Sequence, residues 1–183
     1  LNKAPWEEYP EIWKTESAFM SWIRGGIRKA LWNRHPVKLN FIKNNRIRIP
    51  NPNPRGRVDE VWGAECALTG EIAVISEMEV DHRTGGHSLK TLDDLNSFIS
   101  GIVLITEDDL QFVTKKAHKI KSHSERKDVT FEEARIEKEI IAITKLPVKE
   151  VIAFCKAKGY TDELLSNAAK RKKAVVEILK KEK

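Results

Sequence analysis

From Glu60 to His82 the pattern of apolar and polar residues is that of strands. Val61-Trp62-Gly63-Ala64-Glu65-Cys66-Ala67 and Glu71-Ile72-Ala73-Val74-Ile75 flank Leu68-Thr69-Gly70, the pattern of a β-hairpin. The apolar alternation of Ala73, Ile75, Met78 and Val80 predicts a further strand, from about Glu77 to Val80, with Asp81 and His82 at its end. Before this region the period is helical. Ile12, Phe19, Trp22, Ile23 and Ile27 fall at spacings of three, four and seven, and Gly25-Gly26 predicts a kink or a close backbone approach in that helix. From Lys38 to Arg57 the prolines of Asn51-Pro52-Asn53-Pro54 predict an extended, turn-rich loop.

After His82 a polar loop from Arg83 to His87 leads to Thr91, which caps a short helix through Asp93, Asp94, Leu95 and Phe98. Leu110 to Val113 predicts a short strand, and Thr114 caps a basic helix to about Arg126. The remainder is helical. Thr130-Phe131-Glu132-Glu133 is a capping box, Pro147 suits a first turn, Gly159 ends that helix, and Thr161 or Asp162 starts the last one. The expected class is α+β in three segments: a Trp-rich basic helical extension with a Pro-rich loop (1–58), a core (59–127) and a basic helical region (128–183).

Composition narrows the classes. A chain of 183 residues suits one main domain with an appendage. No apolar run approaches membrane-spanning length and no secretory h-region is visible, so no membrane partner is expected. The two cysteines, Cys66 and Cys155, belong to different segments, which provides neither a disulfide framework nor a complete zinc site and points to an intracellular setting. A net charge of +6 favours a polyanionic partner. Arg24, Arg28 and Lys29 among the tryptophans, and Arg46, Arg48, Arg55 and Arg57 ahead of the core, are the candidate backbone contacts. The tryptophans themselves are expected to pack their helix onto the core. The basic tail, Lys170 to Lys173 and Lys180 to Lys183, reads either as solvated charge or as a phosphate-binding appendage.

A carboxylate, an adjacent histidine and a second histidine on a following helix are the parts of metal-assisted phosphodiester hydrolysis. The reaction needs an activated water, a cation for charge developing on phosphate, and groups that hold both in line. Adjacent strand residues point to opposite faces, so Asp81 and His82 can do different jobs. At Asp81-His82, Asp109-Leu110-Gln111-Phe112-Val113 and Thr114-Lys115-Lys116-Ala117-His118-Lys119-Ile120-Lys121 the chain resembles the HNH endonucleases, the ββα-metal nucleases. That family carries Asp-His at a strand end, Asn-Leu-Gln-x-Leu on a second strand, and Cys-x-x-Cys-His-x-x-Lys on the helix. The resemblance covers roughly Trp62 to Arg126.

The resemblance implies a ββα-metal core with a preceding β-hairpin, flanked by N-terminal and C-terminal α-helices. It makes His82 the general base and Asp81 and His118 the metal ligands. Asp109 takes the place of the asparagine that orients the base or braces the loop. Lys121 contacts a phosphate or closes the helix, and Arg83 joins the nucleic-acid contacts. His87 and Asn96 are reserve candidates, His123 is expected on an exposed helix face, and His35 has no assigned role. The family's four zinc-ribbon cysteines map to Cys66, Thr69, Thr114 and Ala117, so no structural zinc is expected.

The expected function is therefore that of a metal-dependent HNH-type DNA endonuclease, of phage or homing type, acting on double-stranded DNA inside a cell such as a phage-infected host. Mg²⁺ is the expected ion, with Mn²⁺ or another transition metal as alternatives. The competing expectations are a non-catalytic DNA-binding protein on a degenerate HNH fold, motivated by the lost cysteines and Asp109, and an RNA-directed nuclease using the same groups.

Overall fold

The hairpin and the strand that ends in Asp81-His82 both form, and each belongs to a different small sheet. A computed structural model describes residues 3–54, 58–85 and 88–181. Contacts divide the chain into two units, Leu1–Ala117 and His118–Lys183. The class is α+β, with helices dominating and the strands confined to two antiparallel sheets.

In the first unit, α1 (Pro5–Glu8) and α2 (Glu16–Ala30) lead through a 3-10 turn (Trp32–Arg34) to α3 (Pro36–Asn45). Thr15 caps α2, accepting the Ala18 amide at 3.2 Å, and Ile12 lies ahead of the helix rather than on its stripe. α2 runs through Gly25-Gly26. The helix is continuous there, and among the described residues nothing approaches within 4 Å of a Cβ built at either glycine. Met20 of α2 packs with Leu89, Phe98 and Ile102, and Trp6, Phe19, Ile23, Ile27 and Trp32 close over that cluster. Two tryptophans thus pack as expected. Trp13 and Trp22 instead ring Phe19, and Trp22 remains 61% exposed.

The stretch expected to be an extended loop, Lys38 to Arg57, is mostly regular. Pro36 sits in the first turn of α3, where its missing amide costs nothing. The Asn45 side chain donates to the Phe41 carbonyl at 2.9 Å, and buried Phe41 packs against Phe112 with ring centroids 5.0 Å apart. β1 (Ile47–Pro50) then pairs with β2 (Glu60–Glu65). Pro50 ends an edge strand, a position that tolerates the lost donor. Turn structure begins only at Asn51, whose side chain accepts the Asn53 amide at 3.0 Å and donates to the Val58 carbonyl at 2.9 Å.

β2 also pairs with β3 (Ile72–Val74), in the order β1-β2-β3, through a turn in which Gly70 adopts φ +69°. β4 (Met78–His82) pairs with β5 (Leu110–Thr114), Asp81 opposite Gln111 and His82 opposite Leu110. Between them α4 (Leu95–Val103) follows a capping box at Thr91, and α5 (Lys115–Lys127) follows β5 without a gap.

The second unit continues with α6 (Phe131–Thr144), α7 (Val148–Lys156) and α8 (Ala168–Lys181). The capping box at Thr130 forms, its hydroxyl accepting the Glu133 amide at 3.2 Å. Gly159 at φ +89° follows α7. The last helix starts later than expected. Asp162 opens only a 3-10 turn (Glu163–Leu165), and Asn167 caps α8 by accepting the Lys170 amide at 2.9 Å. The core of this unit is Ile136, Val151, Cys155, Leu165, Val175 and Ile178. His123 is buried here, contrary to its expected exposure. Its Nε2 lies 2.7 Å from Glu137, an ionisable partner that makes burial affordable. Among the described residues no helix is long and apolar enough to cross a membrane.

Candidate active site

Two sheets meet at the residues that the resemblance aligns with the zinc-ribbon cysteines. The Cys66 carbonyl accepts the amides of Thr69 (3.2 Å) and Gly70 (2.8 Å), closing the hairpin turn. The Ala67 amide then donates to Phe112 of β5 at 2.8 Å, and the Thr114 amide reaches the Cys66 sulfur at 3.4 Å. Thr114 turns the chain into α5 by accepting the Ala117 amide on Oγ1 at 3.1 Å. Cys66, Thr69, Thr114 and Ala117 thus form one hydrogen-bonded chain. Burial pushes the Cys66 thiol up, but the Thr69 side chain and the amides of Thr114, Leu68 and Thr69 outweigh it and hold the thiol below its ordinary value. One thiol, two hydroxyls and a methyl are not a tetrahedral zinc donor set, and hydrogen bonds and packing fill the centre instead.

One strand away, β4 brings Asp81 and His82 to the end of its ladder. Strand alternation puts Glu79 and Asp81 on one face and Met78, Val80 and His82 on the other. Gln111, buried on β5, donates through Nε2 to the His82 carbonyl at 3.3 Å. The Arg83 amide donates to the Asp109 carbonyl at 2.8 Å, extending the strand pair one rung past His82. Trp32 stacks on the His82 imidazole, with centroids 4.6 Å apart and planes at 24°. The Lys38 ammonium lies 4.5 Å from the Trp32 ring, and His82 Nε2 is shielded from solvent.

Charge around β4 is paired by sign. Burial and neighbouring Arg24 lower the Arg28 guanidinium, while Asp81 raises it. Burial likewise lowers the Lys38 ammonium and Glu79 raises it. Each carboxylate of the strand therefore feels a cation from a preceding helix, α2 for Asp81 and α3 for Glu79.

The other expected residues divide by role. Asp109 Oδ2 accepts the Thr106 amide (2.7 Å) and hydroxyl (2.9 Å), so its carboxylate caps the 3-10 turn Glu107–Asp109. Arg24 donates to the Leu89 carbonyl at 2.8 Å and ties α2 to the following loop. Lys29 is exposed on α2, as is Arg83 beyond β4. Arg46 and Arg48 stack on Trp62, 4.0 and 4.2 Å from its ring. His118 occupies the first turn of α5, and Lys121 lies 3.7 Å from Glu125 on the same helix. Asn96 is exposed in α4 and His35 Nε2 lies 3.2 Å from the Val103 carbonyl. Arg55, Arg57 and the reserve candidate His87 lie outside the described residues.

The donors expected for a divalent ion are one carboxylate, Asp81, and one imidazole, His118. Asp81 belongs to the first unit and His118 to the second. Among the described residues no three His, Cys, Asp or Glu side chains form a metal-binding group. Sequence reasoning missed Trp32, Lys38 and Glu79. The only local hint was an aromatic residue followed by a basic run, which does not say which strand it will cover. No protein-family model, curated protein or solved structure matches the chain.

Proposed function

We propose that this chain is a metal-dependent DNA endonuclease of the HNH type, with β4, β5 and α5 as its ββα core. The observation that carries the reading is the meeting of Cys66, Thr69, Thr114 and Ala117. Cys66 with Thr69 and Thr114 with Ala117 are two local pairs that only the resemblance brought together, and the bond from the Thr114 amide to the Cys66 sulfur, 48 residues apart, supports the register that assigns Asp81, His82 and His118.

In this reading His82 accepts the proton of the attacking water, with its backbone held by Gln111. By the resemblance Asp81 and His118 would be the ligands of a divalent ion, which would supply positive charge to the phosphate oxygens. Arg28, whose guanidinium feels the Asp81 charge, adds a second positive group for the phosphate. Water oxygen bonds to phosphorus as the bond to the 3′ oxygen breaks, leaving 5′-phosphate and 3′-hydroxyl ends.

The test is conversion of supercoiled plasmid with Mg²⁺ or Mn²⁺. Loss of a general base costs about 10²- to 10⁴-fold, so His82→Ala should slow nicking by that factor. Equal rates for the two proteins remove His82 as base, and cleavage that persists in EDTA removes the metal.

A second reading, a DNA-binding protein without catalysis, draws on the covering of His82. Trp32 stacks on its ring and Nε2 is shielded from solvent, an arrangement suited to a structural histidine. Salt-sensitive duplex binding without nicking under any divalent cation selects this reading. Cleavage of single-stranded RNA in preference to duplex DNA selects the RNA-directed alternative.

A further inference from the structure

The formal charge is unevenly distributed. Leu1–Ala117 contains 16 Lys and Arg and 16 Asp and Glu, whereas His118–Lys183 contains 17 and 11, so the whole balance of +6 belongs to the second unit. Within that unit the carboxylates concentrate on α6, where Glu132 and Glu139 pair with Arg135 and Glu137 with His123. The basic residues concentrate on α8, which carries six Lys and Arg against one Glu.

Packing orders α8 and gives it two distinct faces. Ala174, Val175, Ile178 and Leu179 are buried in the core of the unit. Arg171 donates to the Leu165 carbonyl at 3.0 Å and the Lys170 ammonium to the Glu163 carbonyl at 3.1 Å, so these two cations anchor the start of the helix. Lys172, Lys173, Lys180 and Lys181 are exposed and border one shallow groove. Among the described residues Lys172, Lys180 and Lys181 make no ion pair, and Lys173 lies 3.9 Å from Glu177. Glu177, the one acid on the helix, accepts the Tyr160 hydroxyl at 2.8 Å and stands in the same groove, where four lysines outnumber it.

We infer that this face of α8 is a docking surface for the sugar-phosphate backbone of a DNA duplex. The inference rests on the proposed function only for DNA as the polyanion. Two lysine pairs eight residues apart are separated by about 12 Å along the helix. Each strand of a duplex presents about one charge per 3.4 Å of the axis, so a backbone running along α8 offers about four phosphates over that span. An anionic membrane fits less well. An interfacial helix inserts an apolar face, and the apolar face of α8 is already in the core. Lysines on phosphates position a protein without reading sequence, so the surface supplies affinity and not specificity.

The test is anisotropy of a short labelled duplex titrated with the full chain in chelator, from about 50 to about 200 mM salt. Four lost phosphate contacts lower the slope of log K against log salt by about 3.6, at about 0.9 each. That is the expected result for Lys172→Gln/Lys173→Gln/Lys180→Gln/Lys181→Gln, and each pair alone should remove about half of it. Replacing all four by Arg should retain the slope. Gln variants with unchanged helix content by circular dichroism and an unchanged slope overturn the inference. So does binding to phosphatidylserine vesicles without duplex binding. Because chelator prevents metal-dependent cleavage, absent nicking would sink the nuclease reading alone, and an unchanged slope would sink this surface alone.

Discussion

Gly63 is the central residue of the three-stranded sheet, paired with Ile47 on β1 and Val74 on β3. A Cβ there would overlap Ile49 Cδ1 and stand 2.9 Å from Ile49 Cγ1 and 2.7 Å from the Ala73 carbonyl oxygen. The isoleucine end can rotate away. The carbonyl belongs to the neighbouring strand, and relieving it means opening β2 from β3 by roughly 0.7 Å to reach ordinary van der Waals contact. Overpacking of this kind costs about 1–3 kcal/mol, offset by about 0.4–1 kcal/mol from the reduced freedom of the unfolded chain. Gly63→Ala should therefore destabilise the first unit by about 1–2 kcal/mol. With about 2.1 cal/mol/K of unfolding entropy per residue over its length, the expected fall in Tm is about 4–8 °C. Thermal unfolding followed by near-ultraviolet circular dichroism, where Trp62 and Trp32 report, reads it. Ile49→Val removes the Cδ1 overlap and leaves the carbonyl, so the double variant should be less damaged than the two single effects predict together. A Tm for Gly63→Ala equal to or above that of the parent would refute the argument, because the strands would then have room that the geometry denies.

Thr114→Val keeps the shape of the side chain but leaves the buried Ala117 amide without its acceptor, and should cost about 1–2 kcal/mol in urea unfolding. An unchanged midpoint would mean that α5 starts without Thr114. Asp94 accepts the amides of Thr91 (2.9 Å) and Lys90 (2.8 Å), and these bonds hold its carboxyl below the usual carboxylate value. A depressed acid stabilises the fold above its unfolded pKa, about 3.9, and that contribution fades as pH falls through the lower folded value. The difference in urea midpoint between parent and Asp94→Asn should be flat near neutrality and close toward zero in stronger acid. A difference that widens there would reverse the sign.

Much of the candidate site could be read in the sequence because its instructions are local. The hairpin around Leu68-Thr69-Gly70, the Asp81-His82 strand end and the caps at Thr91, Thr114 and Thr130 each depend on residues a few positions apart. The errors came where a distant partner decides. Asn51-Pro52-Asn53-Pro54 suggested a loop for the whole Lys38–Arg57 stretch, but Phe41 packing on Phe112 and the pairing of β1 with β2 stabilise regular structure up to Pro50. The basic helix around His123 predicts exposure, and Glu137, one helix later, gives the buried imidazole a partner.

The sequence by itself determined the period of each segment, the caps that start its helices, the excess of basic residues in the last helix, and the place of Asp81 and His82 at a strand end and of His118 on a following helix. Only the tertiary structure decided that the Thr114 amide meets the Cys66 sulfur, that Trp32 lies on His82, and that the Arg28 guanidinium feels the Asp81 charge. The physical reason is range. Backbone capping and amphipathic period act within a turn or two, whereas stacking, desolvation and charge pairing depend on which surfaces packing brings together.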